Sequence, residues 1–263
     1  MKKILKDTIR NQEITVGFCL QTINPDVTES IALSGVDYIV LDMEHTGKGI
    51  DSVYPCIITA AAHNVPVIVR TADKEQWMIE QALDSGAQGV LVPTVETAEE
   101  CEKIVSAAKY APMGTRGYCP MSATFRWMNH VDPDVKKYAE DANRDTFVAA
   151  LIETPEGLRN LPEMVKVEGI DAFLLGPADY GMRLGRDLWD ERTAAEMNEA
   201  TEFIIDSGKI CIATSLPQNF EAQYRSGARV FMYGLNVDMI LQRTLSDMRK
   251  TFEDTVEKVN SSK

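Results

Sequence analysis

Two acidic residues stand where apolar segments of the chain end. Glu153 directly follows the run Phe147–Ile152, and Asp179 follows the run Ala172–Leu175 after the turn 176–178. Each run has the composition of a strand buried on both faces, so each carboxylate is expected where a strand emerges. Two carboxylates with few other ligands nearby favour a hard divalent cation that keeps water and takes a substrate oxygen. The alternative for each residue is a cap on the helix that follows.

A histidine ends another apolar segment. His45 comes three residues after Asp42, at the end of the segment near 37–43. This position suits a general base, because a carboxylate such as Asp42 can orient the imidazole and stabilise its cation. The alternative is a solvated histidine without a role.

An arginine ends a third segment. Arg70 follows an apolar run near 65–69, and a guanidinium there must find an anion or suffer a large desolvation cost. An ion pair with Asp84 or Glu44 would satisfy it as a purely structural group. The functional alternative is an arginine that binds a keto oxygen and stabilises an enolate.

The turn before Asp179 is suited to binding an anion. In Gly176-Pro177-Ala178-Asp179, Pro177 has no N–H, but the amides of Ala178 and Asp179 can donate at a helix start. Such a group of amides binds a carboxylate. A base, a cation and two metal ligands at four strand ends are more than packing requires, so together they predict an enzyme.

Short apolar segments alternate along the chain with amphipathic ones. They predict eight strands, near 15–21, 37–43, 65–71, 89–95, 147–153, 171–176, 209–214 and 229–235. Helical spacing lies between most of them, and short links imply right-handed crossovers and a parallel sheet. Eight strands close a barrel, so we expect an α/β fold of the (β/α)8 TIM-barrel type in a single domain, 1–263. An open doubly wound sheet is the alternative, weakened because no GxGxxG turn follows the first strand.

One long segment interrupts this alternation of strands and helices. Residues 111–146 form a long insertion that contains Arg126 and Trp127 and then a charged, helical stretch over 134–145. Long loops in compact domains are usually functional or flexible. The last helix is expected over 237–258.

Composition excludes several classes of protein. The chain has 263 residues and a net charge of −13, which argues against binding to nucleic acid or to an anionic membrane. Its five cysteines are odd in number and form no CxxC pair, so we expect free thiols in a reducing cytoplasm. No signal peptide is evident, and no apolar run approaches the roughly 18 residues of a membrane helix.

Six motifs in this order resemble the HpcH/HpaI aldolase family, the metal-dependent class II aldolases of 2-keto acids. The motifs are Leu41-Asp42-Met43-Glu44-His45, Val69-Arg70, Val92-Pro93, Arg116-Gly117, Ile152-Glu153-Thr154 and Gly176-Pro177-Ala178-Asp179. The resemblance covers about 15–255. It implies a modified TIM barrel whose last helix swaps between neighbouring subunits, in a hexamer built as a trimer of dimers.

The resemblance also implies a reaction, the reversible cleavage of a 4-hydroxy-2-oxo acid into pyruvate and an aldehyde. It implies that Glu153 and Asp179 bind Mg²⁺, Mn²⁺ or Co²⁺, and that the turn from Gly176 holds the pyruvate carboxylate through the amides of Ala178 and Asp179. Arg70 would bind the keto oxygen. His45, paired with Asp42, would be the base, and Asp84 would reach a neighbour's active site.

The chain departs from the family in two places. Many members have Gln where this chain has Leu151, which alters the surroundings of Glu153. The segment 211–215 also differs, next to the expected substrate. Two alternatives therefore accompany the aldolase: a citrate-lyase-type enzyme that cleaves carbon–carbon bonds of CoA thioesters, and a noncatalytic oxo-acid-binding protein. No strand segment holds a suitably placed lysine, which counts against a Schiff-base mechanism.

Overall fold

Eight parallel strands close into a barrel in the computed structural model, which describes residues 3–119, 134–187, 190–233 and 236–261. Each strand pairs in parallel with the next, and β8 pairs with β1. This closure confirms the (β/α)8 prediction over the open sheet. The strands are β1 Thr15–Leu20, β2 Tyr38–Asp42, β3 Val67–Arg70, β4 Gly89–Val92, β5 Phe147–Ile152, β6 Ala172–Leu175, β7 Ile210–Ser215 and β8 Val230–Tyr233.

Helices connect the strands over the outside of the barrel. Those within the described ranges are α1 Leu5–Asn11, α2 Pro25–Ala32, α3 Ile50–Ala62, α4 Gln76–Asp84, α5 Ala98–Ala108, α6 Val135–Asp145, α7 Pro155–Met164, α8 Pro177–Arg183, α9 Glu191–Asp206, α10 Phe220–Arg225 and α11 Val237–Ser261. The predicted helix over 134–145 is confirmed as α6, with Asp134 as its N-cap. Arg126 and Trp127 lie outside the described residues.

The sequence pattern did not predict α1. This helix of seven residues is too short to show a helical period, and it carries charged residues between its apolar ones. Its Leu5 is fully buried and packs with the side chains that fill the barrel interior. The helix therefore covers the barrel at the N-terminal ends of the strands.

Side chains of the strands alternate between two apolar layers. One layer fills the barrel and includes Tyr38, Phe147 and Leu174. The other lies between the strands and the surrounding helices and includes Ile39 and Val148. Burial on both faces explains why each strand reads as a continuous apolar run, and it leaves the carboxyl ends of the strands as the place for polar groups.

No helix among the described residues is both long enough and apolar enough to span a membrane.

A close contact inside the barrel generates a prediction about stability. A Cβ at Gly17 would overlap the ring of Tyr38, which is fully buried and whose hydroxyl donates to the Phe231 carbonyl oxygen at 3.0 Å. We expect Gly17→Ala to lower the free energy of unfolding by at least about 2 kcal/mol, because the buried ring must shift. Urea denaturation measures this loss.

The matched control is Gly47→Ala, since a Cβ at Gly47 meets no atom within 4 Å. The same added methyl group should leave stability nearly unchanged there. Similar losses in both variants would contradict the interpretation.

Candidate active site

The predicted site residues meet at one cavity of about 510 Å³. The lining residues lie in the last turns of several strands or directly after them, at the carboxyl ends, as expected for a barrel enzyme. They include seven of the residues selected from sequence, which are His45, Arg70, Glu153, Gly176, Pro177, Ala178 and Asp179. Asp42 lies directly behind this lining as the partner of Arg70, and only Asp84 is placed elsewhere.

A buried ion pair joins the ends of β2 and β3. The strand register sets Asp42 opposite Arg70. Arg70 Nε donates to Asp42 Oδ1 at 2.8 Å, and Arg70 Nη2 donates to Asp42 Oδ2 at 2.6 Å. The Asp42 side chain has no exposed surface. Burial acts to raise the pKa of Asp42, but the hydrogen bonds and charge of Arg70 lower it below its usual value.

The carboxylate beside His45 is Glu44 and not Asp42. Glu44 Oε2 lies 3.6 Å from His45 Nε2 and 3.2 Å from Arg70 Nη1. Asp42 meets His45 only through the His45 backbone N–H, at 3.4 Å. The structure therefore does not contain the predicted side-chain pair between Asp42 and His45. The strand register places Asp42 opposite Arg70, and both Asp42 oxygens accept hydrogen bonds from that guanidinium.

Glu44 holds an unsatisfied oxygen in this site. Its Oε2 is buried and has no hydrogen-bond partner among the described residues. Burial raises the pKa of Glu44, nearby Glu153 raises it further, and Arg70 opposes the rise. The Glu44 carboxylate is therefore held by its charge contacts with Arg70 and His45.

Two hydrogen bonds from one residue fix Glu153. Its Oε1 accepts from the Thr94 amide at 2.9 Å and from Thr94 Oγ1 at 2.7 Å. Thr94 has φ +52°, in the left-handed region that threonine rarely adopts. Glu153 is 3% exposed. The cap on α7 is Thr154, whose hydroxyl accepts from the Gly157 amide, so the helix-cap alternative for Glu153 is wrong.

Gly176 lets the second acidic strand end approach Glu153. A Cβ at Gly176 would lie 2.7 Å from Glu153 Cβ and 3.1 Å from Glu153 Oε2. Gly176 is also the N-cap of α8, and no side chain caps this helix. Asp179 is exposed in the first turn and lines the cavity. The capping alternative is therefore wrong for Asp179 as well.

Glu153 and Asp179 are the two carboxylates predicted to bind a divalent cation. Among the described residues no group of three or more His, Cys, Asp or Glu side chains could hold a metal. The prediction requires only two, because Mg²⁺ usually keeps several waters and takes one or two carboxylates. Glu153 Oε1 accepts a hydrogen bond from Thr94. The other carboxylate oxygen, Oε2, lies beside Gly176, at the start of the turn that leads to Asp179.

Asp84 does not line this cavity. It is in the last turn of α4, and its Oδ1 accepts a 2.6 Å hydrogen bond from Arg116 Nη2. The Arg116 side chain is only 2% exposed and also lies over the Tyr110 ring. Any catalytic role of Asp84 would therefore be in another subunit.

The residues at which the chain departs from the family line the site. Leu151 fills the barrel interior next to Glu153 and lines the cavity. Thr214, from the altered segment 211–215, lines it as well. The cavity wall is thus apolar where many members have a glutamine.

Sequence reasoning missed Thr94, the role of Glu44 and also Gln21. Gln21 follows β1 and donates from Nε2 to Asp42 Oδ2 at 3.1 Å. Gln21 directly follows β1 and Thr94 comes two residues after β4, so inspecting the first two residues after every strand would have found them. Their partners could not be found in this way, because they depend on the pairing of strands.

Known proteins with similar sequences and structures include several aldolases. The model of the HpcH/HpaI aldolase/citrate lyase family matches residues 16–232. A hydroxypyruvate/pyruvate aldolase from Roseovarius nubinhibens is 29% identical over 93% of this chain and 95% of its own. A 2-keto-3-deoxy-L-rhamnonate aldolase from Escherichia coli K12 is 32% identical over 68% of this chain and 66% of its own. The crystal structure of the citrate synthase SbnG is 27% identical, with a TM-score of 0.85, and the match covers 97% of this chain and 99% of that one.

The Asp42–Arg70 pair generates a second stability prediction. We expect Arg70→Met to lower the free energy of unfolding by about 3–5 kcal/mol, because it leaves Asp42 as an unpaired buried charge. Urea denaturation measures the loss. The double variant Arg70→Met/Asp42→Asn should regain part of it, since Asp42 then no longer carries a fully buried charge.

The matched control is Arg144→Met on the surface. Arg144 is 63% exposed, and it pairs with Asp141 and Asp145. Loss of such an exposed pair should change stability by less than about 1 kcal/mol. A double variant no more stable than Arg70→Met would argue against a buried charge as the cause.

Proposed function

The chain belongs to the HpcH/HpaI aldolase/citrate lyase family, and we propose that it reversibly cleaves a 4-hydroxy-2-oxo acid into pyruvate and an aldehyde. It is a carbon–carbon lyase of the aldolase type, as are the relatives named hydroxypyruvate/pyruvate aldolase and 2-keto-3-deoxy-L-rhamnonate aldolase. His45, Arg70, Glu153 and Asp179 all line one cavity, and this is the main support for the proposal. The cavity brings together a base, a cation and two carboxylates.

Glu153 and Asp179 would hold Mg²⁺, Mn²⁺ or Co²⁺, which when bound would supply positive charge next to the keto acid and stabilise negative charge that develops there. Thr94 keeps Glu153 in place for this task through two hydrogen bonds. The turn from Gly176 through Pro177 would receive the substrate carboxylate, with the amides of Ala178 and Asp179 as donors.

His45, Arg70 and Glu44 would act on the bond that breaks. They would accept the proton of the 4-hydroxyl group and stabilise the electron pair left by the C3–C4 bond. His45 takes the proton of the 4-hydroxyl group as the C3–C4 bond breaks and C4 becomes an aldehyde carbon. The electron pair of that bond stays on the pyruvyl half as an enolate. C3 then gains one proton and His45 gives up the one it took, so the reaction is proton-neutral overall. Arg70, held by Asp42, donates to the keto oxygen and stabilises the enolate. Glu44 lies next to both His45 and Arg70, so its charge would stabilise the imidazolium formed on proton uptake, where Asp42 had been expected to do so.

A second candidate is a citrate-lyase-type enzyme that acts on CoA thioesters. The description of the matching family model, aldolase/citrate lyase, supports it. Both reactions pass through an enolate, so the same Arg70 and carboxylates would serve either. The noncatalytic alternative is less favoured, because His45, Arg70, Glu153 and Asp179 all meet at one cavity.

The last helix supports assembly into an oligomer. No residue of α11 is buried. Six of its apolar residues recur at spacings of three and four and so form one stripe, which we call the α11 stripe. They are about half or more exposed: Leu241, Leu245, Met248, Phe252, Val256 and Val259. An apolar stripe of this kind needs a partner surface. We propose that α11 packs on a neighbouring subunit in a swapped hexamer, in which Asp84 reaches a neighbour's site.

We further propose that residues 1–263 act as one domain in the cytoplasm, without nucleic-acid or membrane partners. The single closed barrel supports the domain assignment. The five cysteines are all free, which supports a reducing compartment.

The reaction itself is tested by pyruvate release from a panel of 4-hydroxy-2-oxo acids. We expect release with Mg²⁺ or Mn²⁺ and its loss with EDTA. Glu153→Gln and Asp179→Asn should abolish both turnover and Mn²⁺ binding measured by calorimetry, because each removes a proposed ligand charge.

The matched control is Glu156→Gln, an exposed carboxylate three residues beyond Glu153. It should retain Mn²⁺ affinity and turnover. Metal-dependent cleavage of CoA thioesters alone would favour the second candidate. No release from either class of substrate would contradict the enzyme assignment.

The oligomer is tested on the α11 stripe. We expect Phe252→Asp to lower the mass observed by sedimentation, because it buries a charge in an apolar interface. Ser246→Asp adds the same charge away from the stripe and should leave the mass unchanged. A monomeric wild-type protein would refute the assembly.

A further inference from the structure

Lys74 contacts the backbone that holds Glu153, although it is not one of the described residues that line the cavity. It lies in the loop between β3 and α4. Its Nζ donates to the Thr94 carbonyl oxygen at 2.9 Å. Thr94 in turn donates its backbone N–H and its hydroxyl group to Glu153 Oε1. Two successive contacts therefore link Lys74 to a carboxylate of the proposed metal site.

Thr94 needs support on several sides, because its backbone is strained. Its φ of +52° lies in the left-handed region, which crowds the Cβ of any residue except glycine. A residue stays in such a conformation only where its surroundings determine it. Glu153 holds the Thr94 N–H, and Lys74 holds the Thr94 carbonyl oxygen. The next amide, of Val95, donates to the Leu151 carbonyl oxygen at 3.1 Å.

Glu153 depends on Thr94 for its orientation. In the part of the chain that the structure describes, both hydrogen bonds to the Glu153 side chain come from Thr94. Leu151, two residues earlier on β5, has an apolar side chain and cannot donate one. A change in the Thr94 backbone would therefore release the Glu153 carboxylate.

Lys74 is itself fixed by an acidic residue of α5. Its Nζ lies 2.5 Å from Glu100 Oε1, and Glu100 Oε2 accepts from the Glu96 amide at 2.7 Å. The side chains of Lys74 and Glu100 are 30% and 27% exposed. This pair is therefore screened less by solvent than a pair on the open surface. The ammonium group is held between a carboxylate and the Thr94 carbonyl oxygen.

We infer that Lys74 is a positioning residue for the proposed metal site. This inference rests on the proposed aldolase function, in which Glu153 binds the metal. Lys74 holds the Thr94 carbonyl oxygen and so keeps Thr94 left-handed, and Thr94 keeps Glu153 oriented for the cation. Lys74 contacts neither the substrate nor the metal. Its loss therefore weakens metal binding and leaves the chemical step unchanged once the metal is bound.

Lys74→Met tests this by calorimetry with Mn²⁺. We expect the Kd for Mn²⁺ to rise at least about tenfold, because Thr94 relaxes and Glu153 must then be ordered as the metal binds. A tenfold rise corresponds to about 1.4 kcal/mol, which is comparable with the cost of a left-handed threonine. Pyruvate release should require more Mn²⁺ but reach nearly the wild-type kcat at saturation. An unchanged Kd, or a kcat that stays low at saturating Mn²⁺, would overturn the inference.

The matched control is Lys103→Met. Lys103 pairs with Glu99 on α5, it is 72% exposed, and this ion pair does not involve Thr94. The same substitution should leave the Kd for Mn²⁺ unchanged there. An equal rise in both variants would show a general effect of removing a positive charge and would overturn the role of Lys74.

A second background tests whether the effect passes through Thr94. Glycine adopts the left-handed conformation without steric cost, so Thr94→Gly removes the strain that Lys74 opposes. In this background we expect Lys74→Met to raise the Kd for Mn²⁺ by less than about threefold, because the two substitutions act on one interaction. The same fold-increase in both backgrounds would overturn the link through Thr94.

Glu153→Gln separates this inference from the proposed function. Wild-type Mn²⁺ affinity in Glu153→Gln would refute the metal site and with it both proposals. Weakened binding in Glu153→Gln together with wild-type affinity in Lys74→Met would refute the role of Lys74 alone.

Discussion

The buried ion pair between Asp42 and Arg70 is the interaction on which the site depends. A carboxylate without exposed surface stays charged only if a cation meets it with good geometry. The register of β2 and β3 supplies that geometry by setting the two residues opposite each other. Once Asp42 holds two nitrogens of Arg70, the guanidinium has a fixed orientation at the cavity. Glu44 and His45 then follow at positions that the same strand end determines.

A second constraint acts on the far side of the cavity. Thr94 adopts a left-handed conformation, which costs a threonine about 1–2 kcal/mol. It is held there by two hydrogen bonds to Glu153 Oε1, and bonds to a charged group contribute about 1.5–3 kcal/mol each. Gly176 then lets β6 pass close to Glu153 Cβ. Backbone strain just after β4 and a missing side chain after β6 thus serve to position one carboxylate.

The parts predictable from sequence are those that depend on local composition. Strands buried on both faces are visible as apolar runs, and the polar residue after each run marks the rim. His45, Arg70, Glu153 and Asp179 were found in this way. Contacts across strands were not, because pairing is a property of the closed sheet. The sequence could therefore place Asp42 near His45, three residues away, but not opposite Arg70. Helix α1 was not predicted, because it is short and is stabilised by tertiary contacts of Leu5 with the barrel interior.

The distribution of charge around the cavity explains why the proposed chemistry calls for a divalent cation. A chain with net charge −13 and four carboxylates around one guanidinium would repel an oxo acid. In the proposed mechanism the divalent cation reverses this locally, but only next to Glu153 and Asp179. Glu153 and Asp179 thus have two effects in the proposed mechanism. Their charge adds to the repulsion of the substrate, and the same charge holds the cation that overcomes this repulsion.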